Sequence, residues 1–241
     1  MSRAVLVTGA AGGIGTELCR RMRADGYVTI GIDQHPSLAA DIDLRVDLRD
    51  TAQLVALGME LARDYDLKAL VHNAAVQPMA GAGKTPVADW LDTMRVNVIA
   101  ADALLSGIRA DLAVNEGSVV VVGSVHGRAT TSGIAAYATS KAALEGWVRA
   151  AALDLGPHIR VNAVAPGAID TAKLREGFAR WGEESAAERK AVLCKRTALQ
   201  RIGEPRDVAG AVSFLIGDDA KFVTGSVLVV DGGATARLGS E

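Results

Sequence analysis

The sequence predicts an α/β chain built on a doubly wound parallel sheet of about seven strands, with helices on both faces. Three observations carry that expectation. Short β-branched runs alternate with helix-length segments almost from end to end, as in a parallel sheet covered on both sides. The first run breaks into a glycine-rich turn, Thr8-Gly9-Ala10-Ala11-Gly12-Gly13-Ile14-Gly15, that opens the first helix. The 241 residues are 49% apolar and 22% charged, which is ordinary globular usage and enough for a sizeable core.

In chain order, strands are expected over 4–7, 28–32, 42–46, 69–72, 118–122, 160–164 and 227–230, each a short apolar run. Helices are expected over 14–25, 50–65, 86–112, 135–155 and 205–217, joined to the strands by right-handed crossovers. The long strandless segment, about 170–204, carries Phe178, Trp181 and a charged stretch over 183–195. Inserted between two strands, it reads as a helical lid. No linker, charge block or repeat divides the chain, so 1–241 is expected to be one domain.

Composition excludes several function classes. With 26 Lys+Arg against 28 Asp+Glu the formal charge is −2, and no basic run offers a footprint for nucleic acid or an anionic membrane. No apolar run reaches 18 residues, and the N-terminus lacks the separate apolar region and cleavage site of a signal peptide. Cys19 and Cys194 are too few for a disulfide framework or a zinc site, and the histidines lack ligand spacing. A cytoplasmic protein without a metal is expected.

Glycines 9, 13 and 15 suit a turn that lets the backbone approach a pyrophosphate held at a helix N-terminus. Asp33 ends the second strand, 18 residues after Gly15, near the spacing of a carboxylate that grips a ribose diol. Together they predict a dinucleotide site on a Rossmann fold. A 2′-phosphate beside Asp33 would meet like charge at a cost of ~4 kcal/mol per charge pair. NAD is therefore expected rather than NADP.

Tyr137 and Lys141 lie four residues apart in a predicted helix, on one face. A free phenol titrates near ~10, too high for a base at neutral pH. A nearby cation worth ~4 kcal/mol lowers that by about three pK units, the shift a proton-transfer tyrosine needs.

Thr8 to Gly15, Asn73-Ala74-Ala75, Asn97, Ser124, Tyr137 with Lys141, and Pro166-Gly167 occur in this order along 3–233. So do 201–205, Val223-Thr224-Gly225 and Asp231-Gly232-Gly233. In order and spacing the chain resembles the short-chain dehydrogenase/reductase family. The resemblance implies hydride transfer between a nicotinamide cofactor and a secondary alcohol or ketone. It makes Tyr137 the acid/base, Ser124 the group that holds the substrate oxygen, and Lys141 the cation that tunes the tyrosine and binds the nicotinamide ribose. Asn97 would hold a water that relays protons from Lys141. The cofactor would meet Gly9, Gly13, Ile14, Gly15, Asp33, Asp47, Leu48, Asn73, Ala75, Tyr137, Lys141, Pro166, Gly167, Ile169 and Thr171. Asp47 and Leu48 would face the adenine, Asn73 and Ala75 the adenosine ribose, Ile169 and Thr171 the carboxamide. One departure is plain: where the family usually has Asn-Asn-Ala-Gly, this chain has His72-Asn73-Ala74-Ala75. A homotetramer, formed through the two long helices and the last strand, is also implied.

Gln77, Ser124, His126 and the lid should surround the reacting carbon. Gln77 and His126 are similar to residues of 3-hydroxybutyrate dehydrogenases that help hold a carboxylate, but Ile134 stands where those enzymes have a lysine. His126 also reads as a loop histidine bonded to backbone. Arg128, Lys173 and Arg175 are further cations within reach of a substrate anion, or surface charges only. The expected substrate is a small sugar or polyol, a cyclic diol or a hydroxy acid. The alternatives are an NADPH-dependent ketoreductase of the 3-oxoacyl carrier type and a non-catalytic cofactor-sensing scaffold.

Overall fold

The computed structural model describes residues 3–179 and 183–236. Seven strands, β1 (Arg3–Thr8), β2 (Val28–Asp33), β3 (Ile42–Arg45), β4 (Asp66–His72), β5 (Ser118–Val122), β6 (Arg160–Pro166) and β7 (Val227–Val230), form one sheet in the order β3-β2-β1-β4-β5-β6-β7. Every pairing is parallel. The predicted strands all form, several longer than expected by one to three residues.

Both faces are covered, which is why the central strands read as unbroken apolar runs. Successive side chains point to opposite faces. Val5 and Val7 of β1 join Leu18 and Met22 of α1 (Gly13–Ala24) and Val212 of α8 (Pro205–Ile216). Leu6 and Leu70 pack on the other side with Leu54 of α2 (Thr51–Asp64), Leu104 of α4 (Ala100–Val114) and Leu144 of α5 (Ala135–Leu155).

One predicted helix differs. The segment expected over 86–112 is α3 (Val87–Met94), then a π-turn over Arg95–Ile99, then α4. A single extra residue in one turn leaves the apolar periodicity almost unchanged, so sequence spacing does not reveal it. The segment expected to be a lid contains two helices, α6 (Ala172–Ala179) and α7 (Glu183–Arg196). Asp170 ties both to the loop after β6, pairing with Arg175 at 2.8 Å and Lys190 at 3.5 Å. Phe178 is half-buried, and Trp181 lies outside the described residues.

From β3 the chain crosses to β4 on the far side of β1, so strand order reverses there. Loops after β1 and β4 diverge at this point and open a crevice at the carboxyl ends of the strands.

Candidate active site

The glycine turn can be tested by asking what a side chain would strike. A Cβ on Gly15 would lie 2.0 Å from the Gly9 carbonyl oxygen, and one on Gly9, at φ +66, 2.8 Å from Ala74 Cα. A Cβ on Gly13 would sit 3.1 Å from the Thr171 methyl. Backbone thus fills the space that side chains would take, leaving the α1 N-terminus open to an approaching pyrophosphate. Asp33 stands beside this cradle. Its carboxylate accepts from the Ala11 N–H at 3.1 Å and the His35 N–H at 2.9 Å. The residues present therefore fit an adenine dinucleotide.

Several residues expected to meet the cofactor also have partners within the protein. Asn73 donates its side-chain amide to the carbonyls of Thr8, at 3.1 Å, and Gly9, at 3.0 Å. Gly167 donates its N–H to Val230, and a Cβ there would lie 2.8 Å from Asp231. The Thr171 hydroxyl accepts from the Leu174 N–H at 3.3 Å, starting α6. Asp47 is held below the usual carboxylate range, chiefly by the Arg49 N–H. Arg49 in turn reaches Asp92 at 3.1 Å, linking the adenine side to α3. Leu48 and Ile169 are buried, while Ile14 and Ala75 are partly exposed at the crevice.

Ser124, Tyr137 and Lys141 come together at the end of β5 and in the first two turns of α5. Lys141 is 2% exposed; its ammonium donates to the Val122 carbonyl at 2.7 Å and lies 5.6 Å from the centre of the Tyr137 ring. Burial pushes the Lys141 pKa down to about 7, and the charge of Lys173 adds to the fall. Partial burial raises the Tyr137 phenol above its ordinary value, with a hydrogen bond to Ser124 pulling the other way. The depression of the phenol expected from a neighbouring cation is therefore not found: desolvation leads, opposed by the hydrogen bond to Ser124.

Asn97 is fully buried in the π-turn. Its side-chain oxygen accepts from the Val76 N–H at 2.8 Å. The amide nitrogen donates to the Val76 carbonyl at 3.0 Å and to Ser140 at 2.9 Å. Ser140 donates on to the Tyr137 carbonyl at 2.7 Å. The side chain is therefore occupied in holding the loop after β4 to the catalytic helix, and only its backbone remains for a water.

On the substrate side, the His126 ring stands edge-on to Tyr137 with centroids 6.1 Å apart. The His126 backbone N–H donates to the Ser124 hydroxyl at 3.2 Å, and the ring Nδ1 pairs with the Thr130 hydroxyl. Gln77 is half-buried on the facing loop. Ile134, where 3-hydroxybutyrate dehydrogenases carry a lysine, is 3% exposed and bridges Ala80 on the loop after β4. Of the cations singled out, Arg128 is held by Glu145 at 2.9 Å and Arg175 by Asp170, while Lys173 stands close enough to Lys141 to act on its charge. Sequence spacing missed His72, whose ring bonds Thr8 in the core. No group of metal-binding side chains occurs, and no helix is long and apolar enough to cross a membrane, both among the described residues.

Comparison with known proteins agrees with this geometry. A family model described as enoyl-(acyl carrier protein) reductase matches residues 9–235. Human dehydrogenase/reductase SDR family member 4 is 33% identical, covering 98% of this chain and 89% of that protein. Cyclopentanol dehydrogenase of Comamonas testosteroni is 32% identical over 98% of both chains. Thermoplasma acidophilum aldohexose dehydrogenase superposes with a TM-score of 0.94 at 28% identity, covering 100% of this chain and 97% of that one. A Beutenbergia cavernae structure, described as a candidate NAD(P)-dependent gluconate 5-dehydrogenase with NADP at low occupancy, gives 0.88 at 30%, covering 98% and 97%. A sheet reversed at a glycine cradle, a Ser/Tyr/Lys cluster beside it, and relatives matched along nearly their whole length make this chain an oxidoreductase of the short-chain dehydrogenase/reductase family.

Proposed function

We propose that the protein interconverts a secondary alcohol and a ketone on a small molecule, with NAD as the hydride carrier. Residues 1–241 act as one catalytic domain with α6 and α7 as its lid. The observation that carries this reading is the buried Lys141 ammonium, anchored on Val122 and set 5.6 Å from the Tyr137 ring at the edge of the glycine cradle. When bound, the nicotinamide supplies the hydride acceptor or donor. Gly9, Gly13, Gly15 and Asp33 hold the adenosine and pyrophosphate half, with Asp33 favouring free ribose hydroxyls over a 2′-phosphate. Ser124 fixes the substrate oxygen. Tyr137 takes its proton in oxidation and returns it in reduction, and Lys141 stabilises the phenolate that results.

The alcohols and sugars named for the relatives, cyclopentanol and aldohexose, support a neutral polyhydroxylated or cyclic substrate. Ile134, which offers no cation where 3-hydroxybutyrate dehydrogenases have a lysine, favours that order over a hydroxy acid. NADP in one related structure keeps the NADPH-dependent ketoreductase as the rival reading, and the cofactor itself decides between them. A panel of sugars, polyols, cyclic alcohols and hydroxy acids, followed at the absorbance of reduced nicotinamide, identifies the substrate. Tyr137→Phe removes one hydroxyl, so turnover is expected to fall by about 10³-fold or more. NAD affinity, measured by quenching of protein fluorescence, is expected to stay within twofold of wild type. Retained turnover in that variant removes Tyr137 from the chemistry.

A further inference from the structure

Ser124 and Tyr137 have to meet at one substrate oxygen, yet they stand on different elements. Ser124 follows β5 by two residues, and Tyr137 lies in the first turn of α5. The turn that carries Ser124 is a small closed unit. The Ser124 hydroxyl accepts from the His126 N–H at 3.2 Å, and the Ser124 carbonyl accepts from the Gly127 N–H at 3.0 Å. The N–H groups of Arg128 and Ala129 donate to the Val125 carbonyl at 3.0 and 2.8 Å. With its hydrogen bonds internal, such a unit moves as one piece, and its place is set by what holds its two ends.

The near end is fixed to the sheet, where the Gly123 N–H donates to the Val164 carbonyl at 2.7 Å. The far end is fixed to α5. A Cβ on Gly127 would lie 3.1 Å from the carbonyl carbon and oxygen of Lys141, so the turn rests directly on the backbone of that helix. One residue on, the Arg128 Nε donates to both carboxylate oxygens of Glu145, at 3.1 and 2.9 Å. Glu145 lies four residues after Lys141 and eight after Tyr137, and so continues the helix stripe that carries them. An exposed ion pair contributes little. This one differs, because the Glu145 side chain is only 11% exposed. A carboxylate so placed depends on the cation that compensates it. Arg128, a candidate for a substrate anion by sequence, is thus engaged within the protein.

We infer that Arg128 and Glu145 form a positioning clamp: the pair seats the turn after β5 on α5 and so sets the Ser124 hydroxyl against the Tyr137 oxygen. This rests on the roles of Ser124 and Tyr137 given above. Both members act through other residues. Without the clamp the turn lifts from the Lys141 backbone and Ser124 shifts relative to Tyr137, and a displacement of about 1 Å costs up to about 10²-fold in rate. The glycine cradle, built on β1 and α1, is left as it was.

The test compares Arg128→Met, which removes the donor, with Arg128→Lys, which keeps a cation within reach of Glu145. Arg128→Met is also combined with Ser124→Ala. Substrate is the fastest alcohol of the panel. Arg128→Met is expected to lower kcat about tenfold, with KM and NAD affinity within about twofold. Arg128→Lys should restore kcat to within about twofold of wild type. Ser124→Ala alone should lower kcat about 10²-fold. Adding Arg128→Met to it should cost less than about a further twofold, because the group being positioned is gone. Where Arg128→Met fails to fold, Arg128→Met with Glu145→Gln, which leaves no unpaired buried charge, takes its place with the same expectations. An Arg128→Met of normal kcat overturns the inference. So does a lysine variant as slow as the methionine one, or a full tenfold loss on top of Ser124→Ala, which assigns the pair to the fold at large. Any of these beside slow Ser124→Ala and Tyr137→Phe variants sinks only this inference; a Ser124→Ala of normal turnover sinks the catalytic reading and the inference with it.

Discussion

Lys141 shows how the role proposed for it works against stability. Its pKa falls from the ordinary 10.5 to about 7 on folding, because the ammonium loses water and keeps one carbonyl partner. The folded state therefore holds this proton less tightly than the unfolded chain. The neutral amine's advantage is complete above the unfolded value and is lost as pH falls from 10.5 toward 7. The cofactor-free enzyme at pH 7 should thus gain a few kcal/mol from Lys141→Met, which buries similar volume without charge, while its activity disappears. Thermal unfolding at pH 7 and turnover on one preparation check this; a lower Tm in the variant contradicts it. His72 works in the same direction. Its pKa drops from 6.5 to about 4, so stability is full above 6.5 and declines by up to about 3 kcal/mol as pH falls to 4. Tyr137 moves the opposite way, with its phenol raised by burial, and this places the activity profile. The rate of oxidation should climb through the neutral range and keep climbing on the alkaline side, because the base must be ionised. A flat profile with the chemical step limiting contradicts the role of the phenol. In the proposed reading Asp33 sets cofactor choice, through a carboxylate already anchored by the backbone of Ala11 and His35. Asp33→Ala should weaken NAD by about tenfold and improve NADP, measured as the ratio of kcat/KM for the two cofactors.

Among the elements, the glycine turn and α1 were legible in the sequence because each glycine answers a local steric demand. The closest is at Gly15, where a Cβ would lie 2.0 Å from the Gly9 oxygen. Gly15→Ala should force the turn open. NAD affinity is expected to drop by more than about tenfold, and stability by about 1–3 kcal/mol, read by calorimetry with and without cofactor. Unchanged affinity removes the turn from cofactor binding. The strands were legible for a related reason: burial on both faces leaves no polar alternation to confuse with a helix. What sequence did not reveal is what depends on one atom or one residue of register. The π-turn at Arg95–Ile99 shifts the chain by a single residue. Asn97 was found by its place in the motif, but the engagement of its amide with Val76 and Ser140 depends on a loop path that no spacing encodes. His72 was passed over because a lone histidine at a strand end has no local signature. Its partner is Thr8, 64 positions away.

At the scale of the whole molecule, two apolar surfaces are left uncovered among the described residues. One surrounds the sheet edge at β7, which pairs only with β6. Leu228 and Val229 there are 37% and 38% exposed, and Phe222, just before the strand, is completely exposed. The other lies along α3 and the π-turn that follows it, where Val87, Leu91 and Ile99 stand out to solvent. A parallel edge strand with bare apolar side chains is a liability in a monomer, and copies of the same chain are its simplest cover. Two distinct patches on one protomer, each closing on itself about a two-fold axis, generate a tetramer of dihedral symmetry. We therefore expect about four chains per particle in light scattering. Phe222→Lys combined with Val229→Lys places two charges at the β7 patch and leaves the Tyr137 crevice untouched. This variant should run as a dimer held by the helix patch, with secondary structure preserved and NAD binding retained. A wild-type protein that is monomeric at micromolar concentration, or a double variant that remains tetrameric, refutes the assignment of β7 as an interface.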